Sequence, residues 1–174
     1  MSQMIECLCL EIEERKHYLS GKTVETIYFG GGTPSLVESE KIKYLLEKIR
    51  STHKVSKDVE ITLELNPDDI TEKKITALKN IGVNRLSIGV QSFYDKDLEF
   101  MNRSHNSTQA IDAVNLAYNA GIKNITIDLI YGIPGQSMKQ WEKNLNQISS
   151  LNITHFSAYA LTVEPNTHLH YLIK

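Results

Sequence analysis

Four side chains could do chemistry together if the fold brought them to one place: Glu64, Gln91, Arg103 and Asp128. Two carboxylates can hold a cation, accept hydrogen bonds from a donor-rich ligand, or share general acid–base work. Glu64 and Asp128 both sit within short apolar runs, and a desolvated carboxylate needs a cation, a ligand donor or a water network. Arg103 is open to two roles, an internal salt-bridge partner for one of them or a planar fork for a ligand carboxylate. Beside these stands Gly30-Gly31-Gly32-Thr33-Pro34, whose bare backbone admits a ligand close to main-chain groups and whose Thr33 adds a hydroxyl. It is neither a Walker A loop nor a Gly-x-Gly-x-x-Gly turn. Taken alone it reads as a tight turn between strand and helix.

The remaining reactive residue types form no such set. His17, His53, His105, His155, His168 and His170 are scattered without ligand-like spacing, and His168-Leu169-His170 is expected in a solvated tail. Cys7 and Cys9 lie two apart in a segment of helical composition, so they point away from each other and read as small apolar residues. There is no disulfide framework. Trp141 is expected to be a packing anchor on its helix.

The elements that must position the first set follow from hydrophobic periodicity. Strand-like runs are expected at 24–29, 59–65, 85–90, 124–130 and 154–161. Helices are expected over 2–19, 39–50, 69–80, 94–101, 107–120 and 138–149, and a tail after Glu164. Strands alternating with helices imply right-handed βαβ units and a parallel sheet. Each strand ends in a polar or glycine-rich signature, and in a βα-barrel those carboxyl ends share the face that holds the active site. Ile61, Leu63 and Leu65 share one face of their strand while Thr62 and Glu64 share the other; Leu86, Ile88 and Val90 stand opposite Ser87, Gly89 and Gln91; Ile125, Ile127 and Leu129 stand opposite Thr126 and Asp128. A buried parallel strand is normally apolar on both faces, so the polar second face points to a barrel lumen that holds a polar ligand. A barrel enzyme with the glycine loop as a phosphate site is a further reading, but it leaves Glu64, Gln91 and Asp128 without a role.

Length and composition set the frame. The chain has 174 residues, 23% charged and 41% apolar, with a net charge of −2. That suits one domain spanning residues 1–174 and supplies no field for nucleic acid. No apolar run approaches the ~20 residues that span a bilayer, and the start lacks the features of a signal peptide, so a cytoplasmic location is expected.

In order, Gly-Gly-Gly-Thr-Pro, Glu-Leu-Asn-Pro, Asn-Arg-Leu-Ser-Ile-Gly-Val-Gln-Ser-Phe, Met-Asn-Arg and Asp-Leu-Ile-Tyr-Gly-Ile-Pro-Gly resemble the radical S-adenosylmethionine (SAM) family. Within it they are most similar to the oxygen-independent coproporphyrinogen III oxidase group. The resemblance covers nearly all of residues 1–170. It implies an α/β fold, a partial (β/α)6 barrel of the radical SAM type with strands two to six present. It implies SAM contacts at Gly31, Gly32, Thr33, Glu64, Gln91, Arg103 and Asp128, with a further contact at Thr162. The run Tyr159 to Thr167 and the run Arg103 to Asn106 resemble the haem chaperone branch of the group, whose members bind haem and deliver it to respiratory enzymes; the alternative is a genuine oxidase of porphyrin biosynthesis. SAM, haem or porphyrin, and respiratory haem-accepting proteins are the partners this implies, with His105 and His155 as candidate haem ligands. The family's [4Fe–4S] cluster is held by a Cys-x-x-x-Cys-x-x-Cys loop, and the resemblance puts that loop before Met1. The chain is therefore expected to be an N-terminally truncated piece or a cluster-less member, also without the group's C-terminal domain. No metal ligand or catalytic residue is assigned to it, and it is expected to be inactive alone.

Overall fold

The computed structural model describes residues 2–172, and in it five strands form one sheet in the order β1-β2-β3-β4-β5. They are β1 (Val24–Phe29), β2 (Val55–Leu65), β3 (Arg85–Gln91), β4 (Asn124–Tyr131) and β5 (His155–Ala160). All four pairings are parallel, so every strand points its carboxyl end the same way. The connecting helices are α2 (Ser39–Thr52), α3 (Glu72–Asn80), α4 (Asp95–Phe100), α5 (Ser107–Asn119) and α6 (Met138–Ser149), preceded by α1 (Ser2–Glu14) and followed by α7 (His168–Leu172). This is the expected α/β architecture, a curled half-barrel with helices on its outer side.

The outer face of the sheet carries the core. Leu63, Leu86, Ile88, Ile125 and Ile127 are fully buried there against Ile75 and Leu78 of α3 and Val114 and Ala117 of α5. Burying a side chain of this kind is worth about 1.5–3 kcal/mol, so the three central strands anchor the fold. A smaller cluster of Ile5, Cys9 and Leu45 seats α1 on α2. Cys9 is thus a packing residue and Cys7 is exposed, as their spacing predicts.

Several boundaries differ from expectation, each for a local reason. Helix α1 stops at Glu14 rather than near residue 19, and 15–22 continues as successive tight turns. No buried residue lies between Cys9 and Ile27, so nothing rewards further helix there. Strand β2 begins at Val55, earlier than its apolar run, because Val55 pairs with Val24 across an irregularity in register. The helix expected from residue 69 starts at Glu72, since Pro67–Asp69 forms a 3-10 turn and Thr71 takes the N-cap, accepting from the Lys74 amide at 3.2 Å. Past Glu164, where a tail was expected, α7 forms. Trp141 is partly buried against the core and lies against Tyr131, ring centroids 5.6 Å apart. No described helix is long and apolar enough to cross a membrane.

Candidate functional site

Period-two alternation sends the polar residues of the central strands to the inner face, and parallel register stacks them in rows. Glu64 is level with Ser87 of the next strand, and Asp128 with Ser157. A row below, Arg85 donates to Thr62 Oγ1 at 3.2 Å and to Thr126 Oγ1 at 2.6 Å, closing the floor. Above that floor a cavity of about 220 Å³ opens, lined by Gly32, Thr33, Pro34, Glu64, Leu65, Asn66, Ser87, Gly89, Gln91, Arg103 and Asp128.

Glu64 is held at both oxygens. The Tyr28 hydroxyl donates to Oε1 at 2.7 Å and the Gly31 amide donates to Oε2 at 3.0 Å, which ties the glycine loop to the second strand. Gly30 is required by that approach: a Cβ there would lie 2.6 Å from Tyr28 Cε1 and 2.9 Å from Glu64 Oε1. Downstream, the Ser35 hydroxyl donates to Asp69 and Lys74 donates to the Ser35 carbonyl, fixing the exit of the loop on the β2–α3 connection.

Asp128 has weaker support. Ser87 Oγ reaches it at 3.4 Å. Desolvation pushes its carboxyl pKa up, reinforced by the nearby Glu64 charge and only partly offset by hydrogen bonds from Ser87 and Ser157. Among the described residues neither Glu64 nor Asp128 pairs with a lysine or arginine. Arg103 does not fill that role. It donates to Asn66 Oδ1 at 2.7 Å and to the Gly89 carbonyl at 3.4 Å, and burial lowers its pKa, opposed by the Asp68 charge. Of the two roles open to Arg103, the internal salt bridge with these carboxylates is therefore excluded, leaving a half-buried cation whose fork faces the cavity.

Gln91 closes the third strand in an unusual conformation. Its φ is +67°, and the Ser92 amide donates to the Val90 carbonyl at 2.9 Å, a three-residue turn of the rarer, strained hand. A bulge against β4 immediately precedes it. Its side-chain amide lies over Gly89, where a Cβ would meet Gln91 Nε2 at 2.8 Å. An alanine at 89 would displace that amide from the cavity.

The sequence-derived set is thus brought together almost whole. Gly32, Thr33, Glu64, Gln91, Arg103 and Asp128 line one cavity, and Gly31 braces it through Glu64. Thr162 is not among them: it is exposed beyond β5 and its hydroxyl donates to the Ala160 carbonyl at 3.3 Å. The residues that pattern reasoning passed over are Tyr28, Asn66 and Ser87. Asn66 lay inside the Glu-Leu-Asn-Pro signature and Ser87 on the polar face of its strand, whereas Tyr28 had only its alternation with Phe29 to mark it.

The histidines do not supply a ligand set. His105 is 3% exposed and its Nε2 lies 3.0 Å from the Val90 carbonyl, which therefore makes Nε2–H the donor. Nδ1 is then a buried acceptor with no hydrogen-bond partner, 3.8 Å from Asp68 Oδ1, and burial pushes the imidazole pKa down. His105, one of the two candidate haem ligands, is thus buried with Nε2 committed to the β3 backbone. His155 is exposed and opens β5, at the end of the strand away from the cavity mouth. Among the described residues no group of three or more His, Cys, Asp or Glu side chains is placed to hold a metal ion. The residues present do not fit an iron–sulfur cluster.

They do fit SAM. SAM carries a sulfonium and an ammonium, a carboxylate and a ribose diol; among the described residues the cavity offers two carboxylates without a lysine or arginine partner, an arginine without a salt bridge, and amides at Gln91 and Asn66.

The radical SAM superfamily profile matches residues 10–148. The chain is 37% identical over 164 residues to the haem chaperone HemW of Haemophilus influenzae, covering 94% of this chain and 43% of that protein. It is 42% identical over 145 residues to HemW of Bacillus subtilis, covering 83% and 38%. Among solved structures, coproporphyrinogen III oxidase (HemN) from Escherichia coli, described as a radical SAM enzyme, superposes with a TM-score of 0.85 at 30% identity, covering 94% of this chain and 38% of that one. The chain therefore spans less than half the length of these relatives. With its sequence matched over most of its length and its half-barrel superposing on that of HemN, the chain belongs to the radical SAM superfamily.

Proposed function

We propose that this chain is the SAM-binding barrel portion of a haem chaperone of the HemW kind, and that the cavity at the strand ends is its SAM cradle. The observation that carries the reading is Asp128, a carboxyl desolvated inside a polar cavity with no lysine or arginine paired to it among the described residues. A cationic ligand supplies what that side chain lacks. In this reading Glu64 and Asp128 take the cationic and hydroxyl donors of SAM, Arg103 takes its carboxylate, Gln91 and Asn66 orient it, and Gly31, Gly32 and Thr33 form the rim. SAM supplies a sulfonium centre; the residues of this chain bind and orient it. Haem as the cargo belongs to the same proposal, supported by the relatives named haem chaperone; cytosolic residence and respiratory haem acceptors are further expectations of it.

Two experiments test it. A ligand that binds only the folded state raises the melting temperature, increasingly so as its concentration exceeds its Kd; SAM is expected to do so, and inorganic phosphate or a sugar phosphate is not. The reverse pattern would convert the cradle into an anion site around the glycine loop. The similarity to HemN favours one second reading, an oxidase-type barrel. Titration with haem and with coproporphyrin III separates the two: the chaperone reading predicts saturable haem binding and none of the tetracarboxylate, and the opposite preference favours the oxidase.

A further inference from the structure

Four polar side chains lie together behind the cradle, and none of them lines it. Ser92 and Asn144 are fully buried, Asp97 is 5% exposed, and Gln136 joins them from the loop after β4. Buried polar groups that touch no ligand still need a reason to be there, because each loses its water on folding. Their hydrogen bonds converge on the residue after Gln91. Ser92 Oγ donates to Asp97 Oδ2 at 2.8 Å, and Asn144 Nδ2 donates to Ser92 Oγ at 3.2 Å. The next two amides are held as well: Phe93 N–H donates to Asn144 Oδ1 at 2.8 Å and Tyr94 N–H to Ser92 Oγ at 3.2 Å. Gln136 Nε2 donates to Asp97 Oδ2 at 3.0 Å while its Oε1 accepts from the Gly132 amide at 3.1 Å, so the turn after β4 is tied to the same knot.

The knot sits where the backbone is strained. Gln91 takes a positive φ without being glycine, and such a conformation persists only when its surroundings over-determine it. Without the anchors at Ser92 and Phe93 the downstream end of the turn loses its side-chain hydrogen bonds, and relaxation there would swing the Gln91 amide off Gly89. We propose that Ser92 and Asn144, with Asp97 behind them, are positioning residues that enforce the left-handed turn at Gln91 and so aim its amide into the cradle. They also couple the ends of β3 and β4, the strands that deliver Gln91 and Asp128.

A double-mutant cycle tests this. It rests on SAM being the ligand of the cradle. Ser92→Ala is expected to weaken SAM binding roughly tenfold by calorimetry, and Asn144→Ala to do the same. In a Gln91→Gly background, where glycine takes the turn unaided and no side chain needs aiming, Ser92→Ala is expected to change affinity by less than about twofold. The fall in melting temperature is expected to be no larger in the Gln91 background than in the glycine one, because relaxation of the strained turn returns part of the lost stability only where Gln91 is present. Equal loss of affinity in both backgrounds, or lost stability with affinity unchanged, overturns the proposal and leaves the knot a packing feature. A measurement without ligand decides the matter if the unsubstituted chain binds no SAM. The Gln91 side-chain amide resonances, identified by their loss in Gln91→Gly, are expected to move to solvent-exposed positions in Ser92→Ala and Asn144→Ala. Resonances that stay in place in both variants contradict it.

Discussion

Asp128 and His105 are both held by the fold in states that cost it something, and each leaves a signature in pH. The Asp128 carboxyl is pushed up chiefly by desolvation, so the folded chain binds its proton more tightly than the unfolded chain does. Stability from this group is therefore fully present below the ordinary aspartate range near ~3.9 and is lost as pH rises through the raised value. Asp128→Asn is expected to melt higher than the parent at pH 7 and to converge with it in acid, by calorimetric melts across pH. The same substitution is expected to weaken SAM binding, because a binding carboxylate is kept at a cost to stability. His105 behaves in the opposite way. Its imidazole is depressed by burial, so its contribution is present above the ordinary value near ~6.5 and is lost as pH falls through the folded value. His105→Gln is expected to flatten the loss of melting temperature between neutral pH and pH ~5; an unchanged acid limb would show that another group sets it.

At the scale of elements, the period of the sequence carried most of the information, and its lapses mark where tertiary context took over. Glu64, Gln91 and Asp128 were legible because they alternate with Ile and Leu on strands whose other face is packed. The start of β2 was not, because Ser56, Lys57 and Asp58 have no apolar pattern and lie at the register shift between the Val24–Val55 and Thr26–Glu60 pairs. The turn at Gln91 was also invisible, since nothing in Val-Gln-Ser announces a positive φ; buried Ser92 and Asn144, 52 residues apart, impose it. Thr162 was placed by family resemblance alone, and no alternation pattern pointed to it. Helix α6 matched expectation at both ends, and a capping box fixes its start: Ser137 Oγ accepts from the Gln140 amide at 3.3 Å while Gln140 Oε1 accepts from the Ser137 amide at 2.7 Å. Ser137→Ala is expected to cost about 1 kcal/mol, a fall of roughly 2–4 °C in melting temperature for a chain of this size. A melt within error of the parent would mean that packing alone, through Ile148 and Trp141, sets the start of this helix.

For the whole molecule, the parallel order of five strands makes one cavity out of residues as far apart in sequence as Thr33 and Asp128. The sheet edges are its thinly covered parts: Tyr28 on β1 and Phe156 and Tyr159 on β5 are all exposed. The central three strands hold the floor and most of the walls of the cradle, and both are buried against helices on the outside. What the half-barrel builds is a polar cavity with two carboxylates and an arginine that have no ionic partner inside it. Isothermal titration of SAM into the chain and into its Asp128→Ala variant tests that account most directly. Saturable one-to-one binding, weakened roughly tenfold or more by the substitution as befits a lost charge-assisted contact, is the predicted result; no saturable heat with the parent, or equal affinity in the two proteins, would contradict it.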